Sequence, residues 1–449
     1  MSKVIRLKKG VDIKLEGVAE KVLNSAPLAE SYAVKPTDFF GVTPKLLVRE
    51  GDNVKAGTAL FFDKNNPQLI FSSPVSGVVS AVVRGEKRKI LKVVVTPSQT
   101  QEYEQFDAPE IGSASREQVV ELIQKAGLWS MFIQRPYGII PSSTEAPKAI
   151  FVSAFDTAPL ASDPDFTLSN LDADFLKGME VLKKLAPKVH LGVAPTTNLK
   201  AISKLSGVET TTFSGPHPAG NVGVQIHHVS PINKGEIVWT IGMQEIVILG
   251  RLFGAGKVDM TKIYALAGSM VNRPHYFRAI AGATVKSIAG GSIQDEATPR
   301  CISGNPLTGK QVAADDHISF YANELTVIPE GDHFELLGWI APRFDKLSLS
   351  RTYFSWLTPS KKYKLDTNLN GGVRAFVMSG EYEKVVPMDI YPVYLLKAIL
   401  AGDLDKMENL GIYEIIEEDL ALCEFACTSK ISVQQIVRQG IDLMIKELS

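Results

Sequence analysis

A strand, a helix and a second strand follow one another between residues 149 and 195, and this order constrains the fold most. The runs AIFVSAF (149–155) and VHLGVAP (189–195) are short, apolar and rich in β-branched residues, as buried strands are. Between them, DADFLKGMEVLKKLA (172–186) has a helical stripe of apolar residues: Phe175, Met179, Leu182 and Leu185. A strand–helix–strand order predicts neighbouring parallel strands. The sequence therefore predicts an α/β protein with a parallel sheet.

Length and composition narrow the class of protein. A chain of 449 residues predicts about three domains. Lys plus Arg is 48 against 49 for Asp plus Glu, so nucleic acid is not expected as a partner. Three cysteines are typical of a reducing compartment. Residues 1–17 have no apolar core of a signal peptide, and charges interrupt the most apolar window, 236–256. A soluble, cytoplasmic protein without a transmembrane segment is predicted, with docking on a membrane complex left open.

Residues 1–105 are β-rich and resemble the lipoyl/biotinyl carrier fold, a small barrel-sandwich of interlocked hairpins. The matching signature is G-D-x-V-x-x-G, then D-K at a hairpin, then S-P-x-S-G-x-V, within residues 51–79. In carriers the modified lysine sits at the hairpin tip with a proline eight residues later, whereas Lys64 and Pro74 are ten apart. The resemblance therefore implies the fold, and an unmodified, solvent-facing Lys64 is expected.

The rest of the chain is predicted to form three further units. Residues 106–255 have the α/β pattern and open with a capping box at Ser115 and Gln118. Residues 256–338 return to β-strands, including KIYALAG (262–268), RCISG (300–304) and ELTVIPEG (324–331). From about 339 to 449 helices are predicted to dominate, because YPVYLLKAILAGDLDKMENLG and ISVQQIVRQGIDLMIKEL have apolar stripes.

Two of the three cysteines lie in EEDLALCEFACTSK (417–430), a spacing that resembles an iron–sulfur loop. A [4Fe–4S] loop needs C-x-x-C-x-x-C-x-x-x-C-P, so that four thiolates reach the irons. Laid over this stretch, the pattern meets Glu417, Leu420, Cys423 and Cys427, followed by Thr428. With half the ligands absent, neither a cluster nor a zinc site is predicted. Two buried thiols on one helical turn are expected.

The α/β region resembles the flavoprotein subunit of respiratory complex I and the C subunit of Rnf complexes. The stretch AGLWSMFIQRPYGIIP (126–141) corresponds in position to the flavin-binding loop of those proteins. There those proteins carry a glycine-rich run that wraps FMN. Here Ser130, Met131, Phe132, Ile133 and Gln134 stand at the glycine positions. Their bulk is expected to exclude FMN. GRLFGAGK (250–257) lacks the following Ser or Thr of a phosphate loop and is interpreted as a domain junction.

The whole chain resembles the A subunit of the Na⁺-translocating NADH:quinone oxidoreductases, which are related to the two redox families above. The resemblance is carried by FFDKNNP with FSSPVSG, GLWSMFIQRP, AIFVSAFDTAPLASDP, SGPHPAGNVGVQIHHVSPI, RCISGNPLTG, LGWIAP, GEYEKVVPMDIYP and EEDLALCEFAC. Met243-Gln244-Glu245 departs from the family's usual Tyr-Gln-Asp, and Cys427-Thr428 departs from Cys-Pro.

The resemblance implies an α/β multidomain fold: the barrel-sandwich, a complex-I-flavoprotein-like α/β domain, a β-grasp (SLBB-like) domain and a helical domain like a degenerate ferredoxin region. It implies a peripheral subunit on the cytoplasmic side of the bacterial inner membrane, within a six-subunit complex. It also implies a role in binding ubiquinone or menaquinone, beside the membrane subunit that holds the quinone site. NAD, flavins and iron–sulfur centres are then carried by partner subunits, with no tightly bound cofactor or metal here.

A quinone site needs an apolar, aromatic slot with one or two hydrogen-bond donors. The first candidate is Arg135-Pro136-Tyr137 with Phe132 as a wall, at the ligand crevice of the α/β sheet. The second is the adjacent pair Phe39 and Phe40, since strand alternation cannot bury both. The third is His217, held between two prolines. Catalytic residues are not predicted.

Three other functions stay open at the level of sequence. The chain could be a non-catalytic scaffold, a carrier modified on Lys64, or an iron–sulfur electron carrier. The basic hairpin Arg84–Lys89 is interpreted as a solvated turn, with a contact to partner subunits or to the membrane as the alternative.

Overall fold

The predicted parallel sheet is present in the computed structural model, which describes residues 3–294, 297–333 and 335–448. The two predicted strands are observed at Ile150–Ser153 and Val189–Val193, paired in parallel. The predicted helix between them spans Asp172–Leu185 and buries the apolar stripe identified above. The strand–helix–strand prediction is therefore confirmed.

Strands are numbered along the chain as follows: β1 Lys3–Arg6, β2 Glu20–Ser25, β3 Tyr32–Val34, β4 Pro44–Leu46, β5 Asn53–Val54, β6 Ala59–Asp63, β7 Asn66–Ser72, β8 Gly77–Arg84, β9 Ile90–Pro97, β10 Ile133–Arg135, β11 Ile150–Ser153, β12 Val189–Val193, β13 Glu209–Ser214, β14 Val238–Thr240, β15 Thr261–Ala267, β16 His275–Ile280, β17 Pro299–Ser303, β18 Lys310–Gln311 and β19 Glu324–Pro329.

The α-helices are α1 Arg116–Lys125, α2 Pro164–Thr167, α3 Asp172–Leu185, α4 Val222–Val229, α5 Met243–Ala255, α6 Val285–Ala289, α7 Tyr382–Val385, α8 Pro392–Ala401, α9 Leu404–Asn409, α10 Ala421–Ala426 and α11 Val433–Leu448. The capping box predicted at α1 is confirmed, because Ser115 and Gln118 exchange side-chain and backbone hydrogen bonds. GRLFGAGK forms the last turn of α5, with Gly256 as its left-handed cap.

The central sheet has the order β1-β13-β12-β11-β14-β10, and only β10 runs antiparallel to its neighbour. Helices α3 and α5 pack closely together because a glycine on each faces the other's backbone. A Cβ on Gly178 would lie 2.0 Å from the Ile246 carbonyl oxygen, and one on Gly250 would lie 1.8 Å from that of Asp174. Such separations leave no room for any side chain.

The N-terminal unit consists of a four-stranded and a three-stranded antiparallel sheet, β3-β9-β8-β5 and β4-β6-β7. Phe61 and Phe71 stack at 4.7 Å between ring centroids inside it. Lys64 lies exposed in the turn between β6 and β7, so the expectation that it faces solvent is confirmed.

A second six-stranded sheet has the order β18-β17-β19-β15-β16-β2, and its strands β15, β17 and β19 match the three predicted for residues 256–338. Strand β1 joins the central sheet beside β13, and β2 joins this second sheet beside β16. The first 25 residues are therefore shared between two sheets outside the barrel-sandwich. The predicted boundaries at 105, 255 and 338 stay predictions.

The prediction that helices dominate from residue 339 is wrong for its first forty or so residues. The described part of 335–381 contains a single short 3-10 helix, Phe354–Leu357, and an isolated β-bridge at Tyr363, and is otherwise irregular backbone with bends and turns. Closely spaced Pro, Gly, Ser and Asn residues account for this, because they favour turns over continuous helix. Helices α7 to α11 follow, and they bury Cys423 and Cys427 in one apolar core.

Candidate functional site

A cavity of about 700 Å³ opens where the carboxyl ends of the central parallel strands meet residues from the three other units. Ser153 at the end of β11 and Thr240 at the end of β14 lie on its floor. Ligands of open α/β sheets bind at this edge of the strands. The volume lies within the range of small-molecule sites.

Apolar and aromatic side chains form much of the wall: Phe40, Met131, Ile133, Ile140, Phe155, Leu307, Tyr321 and Ile416. Polar groups are interspersed among them, and Asp156, Gln244, Glu245 and Asn323 come from the sheet edge and the second sheet. Among these, Glu245 is engaged by Lys262 at 2.7 Å, in a pair whose side chains are nearly fully buried. The side-chain amide of Gln244 donates to the Ile263 carbonyl and to Asn323 Oδ1, and its oxygen accepts the Ile263 N–H.

His217 lies in the cavity wall and is 3 % exposed. Burial lowers the pKa of its imidazole, so the ring is neutral at pH 7. Its Nδ1 lies 3.1 Å from Thr157 Oγ1, and that oxygen already accepts the Gly220 N–H. In the tautomer in which the Thr157 hydroxyl donates to Nδ1, the imidazole proton is on Nε2. Among the described residues Nε2 has no hydrogen-bond partner, so an N–H donor is left over.

Arg135 also lies in the wall, but its guanidinium is already engaged by carboxylates. Nη1 donates to Asp419 Oδ2 and Nη2 donates to Glu418 Oε1. The side chains of Arg135 and Asp419 are 1 % and 0 % exposed, so this ion pair is excluded from water. Both carboxylates come from the segment just before α10. Arg135 therefore joins the C-terminal helices to the central sheet rather than presenting free donors to the cavity.

Three other members of the predicted loop do not line the cavity. Phe132 is wholly buried between Trp129 and Trp239, at 5.3 and 5.7 Å between ring centroids. Pro136 is buried after a cis peptide bond. Tyr137 is half-buried, and its ring lies 6.5 Å from that of Tyr413. The expectation that Phe132 forms a wall of the slot is therefore not met, because its ring faces the interior of the α/β unit.

The two adjacent phenylalanines separate, with one buried and one exposed, although they lie in a turn after the 3-10 helix Pro36–Asp38 and not in a strand. Phe39 is buried, with its ring 4.5 Å from that of Phe71. Phe40 is 49 % exposed and lies in the cavity wall, with the Arg438 guanidinium 4.2 Å above its ring. Arg438 also bonds Glu417 and the Tyr137 carbonyl. Phe40 and Arg438 thus form a cation–π contact across the cavity between the N-terminal unit and α11.

The stretch that resembles the flavin loop fills the crevice differently from the prediction. Of its five bulky residues, only Met131 and Ile133 line the cavity. Ser130, Phe132 and Gln134 are buried in the interior instead. Space at the mouth is taken up by Glu417, Glu418 and Ile416 from the segment before α10. Met131 and Ile133 from the loop and residues 416–418 from the segment before α10 therefore both occupy space in the crevice.

All three cysteines are free and buried. Burial raises the pKa of the Cys423 thiol well above its usual value, so it stays protonated at neutral pH. Within the described ranges, no three His, Cys, Asp or Glu side chains converge as metal ligands. Over the same part of the chain, no helix is long and apolar enough to cross a membrane.

Sequence reasoning missed the partners that define the site. Tyr321 and Asn323 come from the second sheet, and no local motif marks them as cavity residues. The run Glu417-Glu418-Asp419 was considered only as the remains of a cysteine motif. The burial of Asp419 beside Arg135 has no local signal in the sequence, because acidic residues are mostly exposed to solvent.

Three family models match the chain: the NqrA N-terminal barrel-sandwich hybrid domain at 5–98, the NqrA second alpha/beta domain at 114–258 and the NQRA C-terminal domain at 263–314. The A subunit of the Na⁺-translocating NADH-quinone reductase of Neisseria meningitidis (serogroup A, strain Z2491) is 38 % identical over 448 residues, covering 99 % of this chain and 100 % of the relative. Its namesake from Rhodopirellula baltica is 37 % identical, covering 99 % and 98 %.

Among solved structures, the NAD⁺-reducing [NiFe]-hydrogenase in the H₂-reduced state matches with a TM-score of 0.39 and 11 % identity. The match covers 75 % of this chain and 62 % of that chain. A likeness of this strength carries no conclusion about function.

Proposed function

The chain belongs to the A-subunit family of the Na⁺-translocating NADH-quinone reductases, and from that membership we propose that it contributes a quinone-binding site to the complex. As a member it is one of the subunits of an NADH:quinone oxidoreductase. We place it peripherally, on the cytoplasmic side of the bacterial inner membrane. Its partners in this proposal are the other subunits of a six-subunit complex, above all the membrane subunit with the quinone site.

The single observation that supports a quinone role is the cavity with His217 in its wall. A quinone offers a flat apolar ring and two carbonyl acceptors, so it needs an apolar slot and a donor. Phe40, Ile140 and Ile416 supply apolar wall, and the Nε2–H of His217 supplies the donor. In this proposal His217 replaces Arg135 and Tyr137 as the group that bonds a quinone carbonyl.

Arg135 has a positioning role in the proposal, because its ion pairs hold the acidic segment 417–419 at the cavity mouth. Phe40 lies beside this segment, because the Arg438 guanidinium that packs on its ring also bonds Glu417. Tyr137 and Pro136 shape the turn that carries Gly138 into the wall. Each of these assignments concerns ubiquinone or menaquinone alike, since the two share the carbonyl pair.

We also propose that the chain holds no redox group of its own. Met131 and Ile133 project into the crevice where glycines would admit a flavin, and Cys423 and Cys427 offer half of a cluster's thiolates. Flavins, NAD and iron–sulfur centres then belong to partner subunits. The helices after residue 381 are, on this view, a ferredoxin-type region that has lost its cluster.

A purely structural scaffold is the second candidate function. It is favoured by the buried Arg135–Asp419 pair, which locks the C-terminal helices onto the central sheet at the ligand crevice. A scaffold role does not depend on the crevice, whereas a quinone-binding role requires it to be accessible.

Calorimetric titration of a short-chain benzoquinone analogue separates the two functions. We expect binding to the assembled complex that weakens about tenfold in His217→Ala, which is the loss of one hydrogen bond of about 1.4 kcal/mol. Tyr137→Phe is the matched control, because its hydroxyl does not line the cavity, and its affinity is expected to be unchanged. Equal affinity of wild type and His217→Ala would remove His217 from the site. Absence of any analogue binding that depends on this chain would leave the scaffold.

A further inference from the structure

The turn-rich segment before α7 exposes apolar and basic side chains together. Phe344, Trp356 and Leu357 are 55, 51 and 52 % exposed. By contrast, Trp129 and Trp239 are almost completely buried. Single exposed apolar residues are ordinary, but an exposed tryptophan, leucine and phenylalanine in one short segment indicate a contact surface.

The charge of this segment is one-sided. Between Asp345 and Asp366 the chain has no acidic residue and five basic ones: Lys346, Arg351, Lys361, Lys362 and Lys364. The whole chain is balanced at 48 basic against 49 acidic residues, so the local excess is not a matter of composition. Lys346 turns inward to Glu335 and Asn370, while the other four are exposed.

The basic and apolar side chains are neighbours in space. The Arg351 guanidinium lies 5.9 Å from the centre of the Trp356 ring. Lys361 Nζ donates to the Phe344 carbonyl at 2.7 Å, and the Phe344 ring lies 5.0 Å from that of Phe354. We call the surface formed by Phe344, Arg351, Trp356, Leu357, Lys361 and Lys362 the basic tip.

The basic tip is held in place by the body of the protein. Tyr363 is buried and pairs with the N-terminal segment, its N–H donating to the Lys14 carbonyl and its carbonyl accepting the Glu16 N–H. Lys14 Nζ adds a bond to the Pro359 carbonyl. This pairing also brings one negative charge, the exposed Glu16, alongside four exposed positive ones. A surface ordered in advance loses little entropy on docking.

We propose that the basic tip docks on the anionic headgroup surface of a lipid bilayer. Tryptophan and leucine insert at the headgroup level of a membrane, and clustered Lys and Arg residues are attracted by anionic lipids. A run of basic residues beside an exposed tryptophan and leucine fits the headgroup level of an anionic bilayer, where negative charge and apolar chains lie next to each other. The inference rests on the peripheral membrane location proposed above and is independent of the quinone role.

Vesicle sedimentation with the full-length chain tests this docking. We expect binding to vesicles that contain phosphatidylglycerol, little binding to pure phosphatidylcholine, and loss of binding at high salt. Lys361→Gln with Lys362→Gln is expected to weaken binding about 30-fold, since each basic residue near the surface contributes about fivefold. Trp356→Ser with Leu357→Ser is expected to weaken it at least about tenfold.

Two matched controls change the same chemistry elsewhere. Lys87→Gln with Lys89→Gln removes two charges from the exposed basic hairpin, and Leu47→Ser removes a leucine that is 52 % exposed. Both are expected to bind vesicles as wild type does, with unchanged thermal unfolding in all variants. Equal loss in the controls, or no binding to anionic vesicles, overturns the proposal. So does intact vesicle binding in tip variants that no longer co-purify with the complex, because the tip is then a protein interface.

Discussion

Replacement of Arg135 by methionine is the perturbation whose outcome follows most directly from the structure. Methionine keeps the unbranched apolar stem of the side chain and removes the charged guanidinium. Asp419, whose side chain is wholly buried, then loses the cation that neutralises it. Glu418 also loses its partner, but its side chain is 39 % exposed and water can replace part of that interaction. The cost therefore arises mainly at Asp419.

Removal of one partner from a buried ion pair costs about 3–5 kcal/mol, because a charge is left in a region of low polarity. Asp419 Oδ2 still accepts the Ile416 N–H at 2.9 Å, so one stabilising contact survives. We therefore expect a loss of about 3 kcal/mol in the free energy of unfolding, the lower end of that range. Asp419→Asn keeps the shape and the hydrogen bond but removes the negative charge. The double variant should accordingly cost about 2 kcal/mol less than the sum of the two single variants.

Urea unfolding followed by tryptophan fluorescence measures these costs. Trp129 and Trp239 are buried in the same α/β unit, 5.4 Å apart between ring centroids. A background with Trp339→Phe and Trp356→Phe removes the two exposed tryptophans, so the signal reports the unit that contains Arg135. Single-variant costs that add up in the double variant, within about 0.5 kcal/mol, would refute the argument that the two side chains neutralise each other.

Two further predictions concern the interior. Burial, followed by the nearby Asp156 charge, raises the pKa of Glu324 from 4.5 to about 7. The wild type therefore loses up to about 3 kcal/mol in the free energy of unfolding as the pH rises through that interval. Glu324→Gln is expected to be more stable than wild type at about pH 8 but not at about pH 5, and an equal effect at both pH values would contradict this. Gly178→Ala is expected to lower the thermal unfolding midpoint, because its Cβ would lie 2.0 Å from the Ile246 carbonyl oxygen. Gly254→Ala is the control, since a Cβ there has room and the variant should be as stable as wild type or more stable. Similar midpoints for the two variants would contradict the close approach of α3 and α5.

Local patterns predicted the local structure well. The capping box at Ser115, the helix Asp172–Leu185 and the strands on either side of it follow from residue spacing within short windows. These elements are fixed by contacts that their own periodicity dictates. The separation of Phe39 from Phe40 was predicted for the wrong reason, because both residues lie in a turn after the 3-10 helix Pro36–Asp38 and not in a strand.

Contacts between residues far apart in the sequence could not be predicted. Arg135 lies 284 residues before Asp419, and nothing near either residue specifies the other. For this reason the sequence suggested a free guanidinium at the crevice, whereas the structure contains an internal ion pair. The orientation of Phe132 was missed for a similar reason, since Trp239 from β14 completes the core that receives it. Residues 339–381 were misjudged because the helical stripes begin only after them.

The positions of β1 and β2 have a consequence for how the chain is made. Lys3–Arg6 pairs with Thr211–Ser214, and Glu20–Ser25 pairs within His275–Arg278, so segments that leave the ribosome first must wait for partners translated some two hundred residues later. Contacts between residues so far apart in the sequence slow folding, because the entropy of closing a long loop is lost before the strand contacts stabilise the fold. The two barrel-sandwich sheets in between have all their strands once residue 97 has been made, whereas the central sheet needs β14 at Val238–Thr240 and the second sheet needs β19 at Glu324–Pro329.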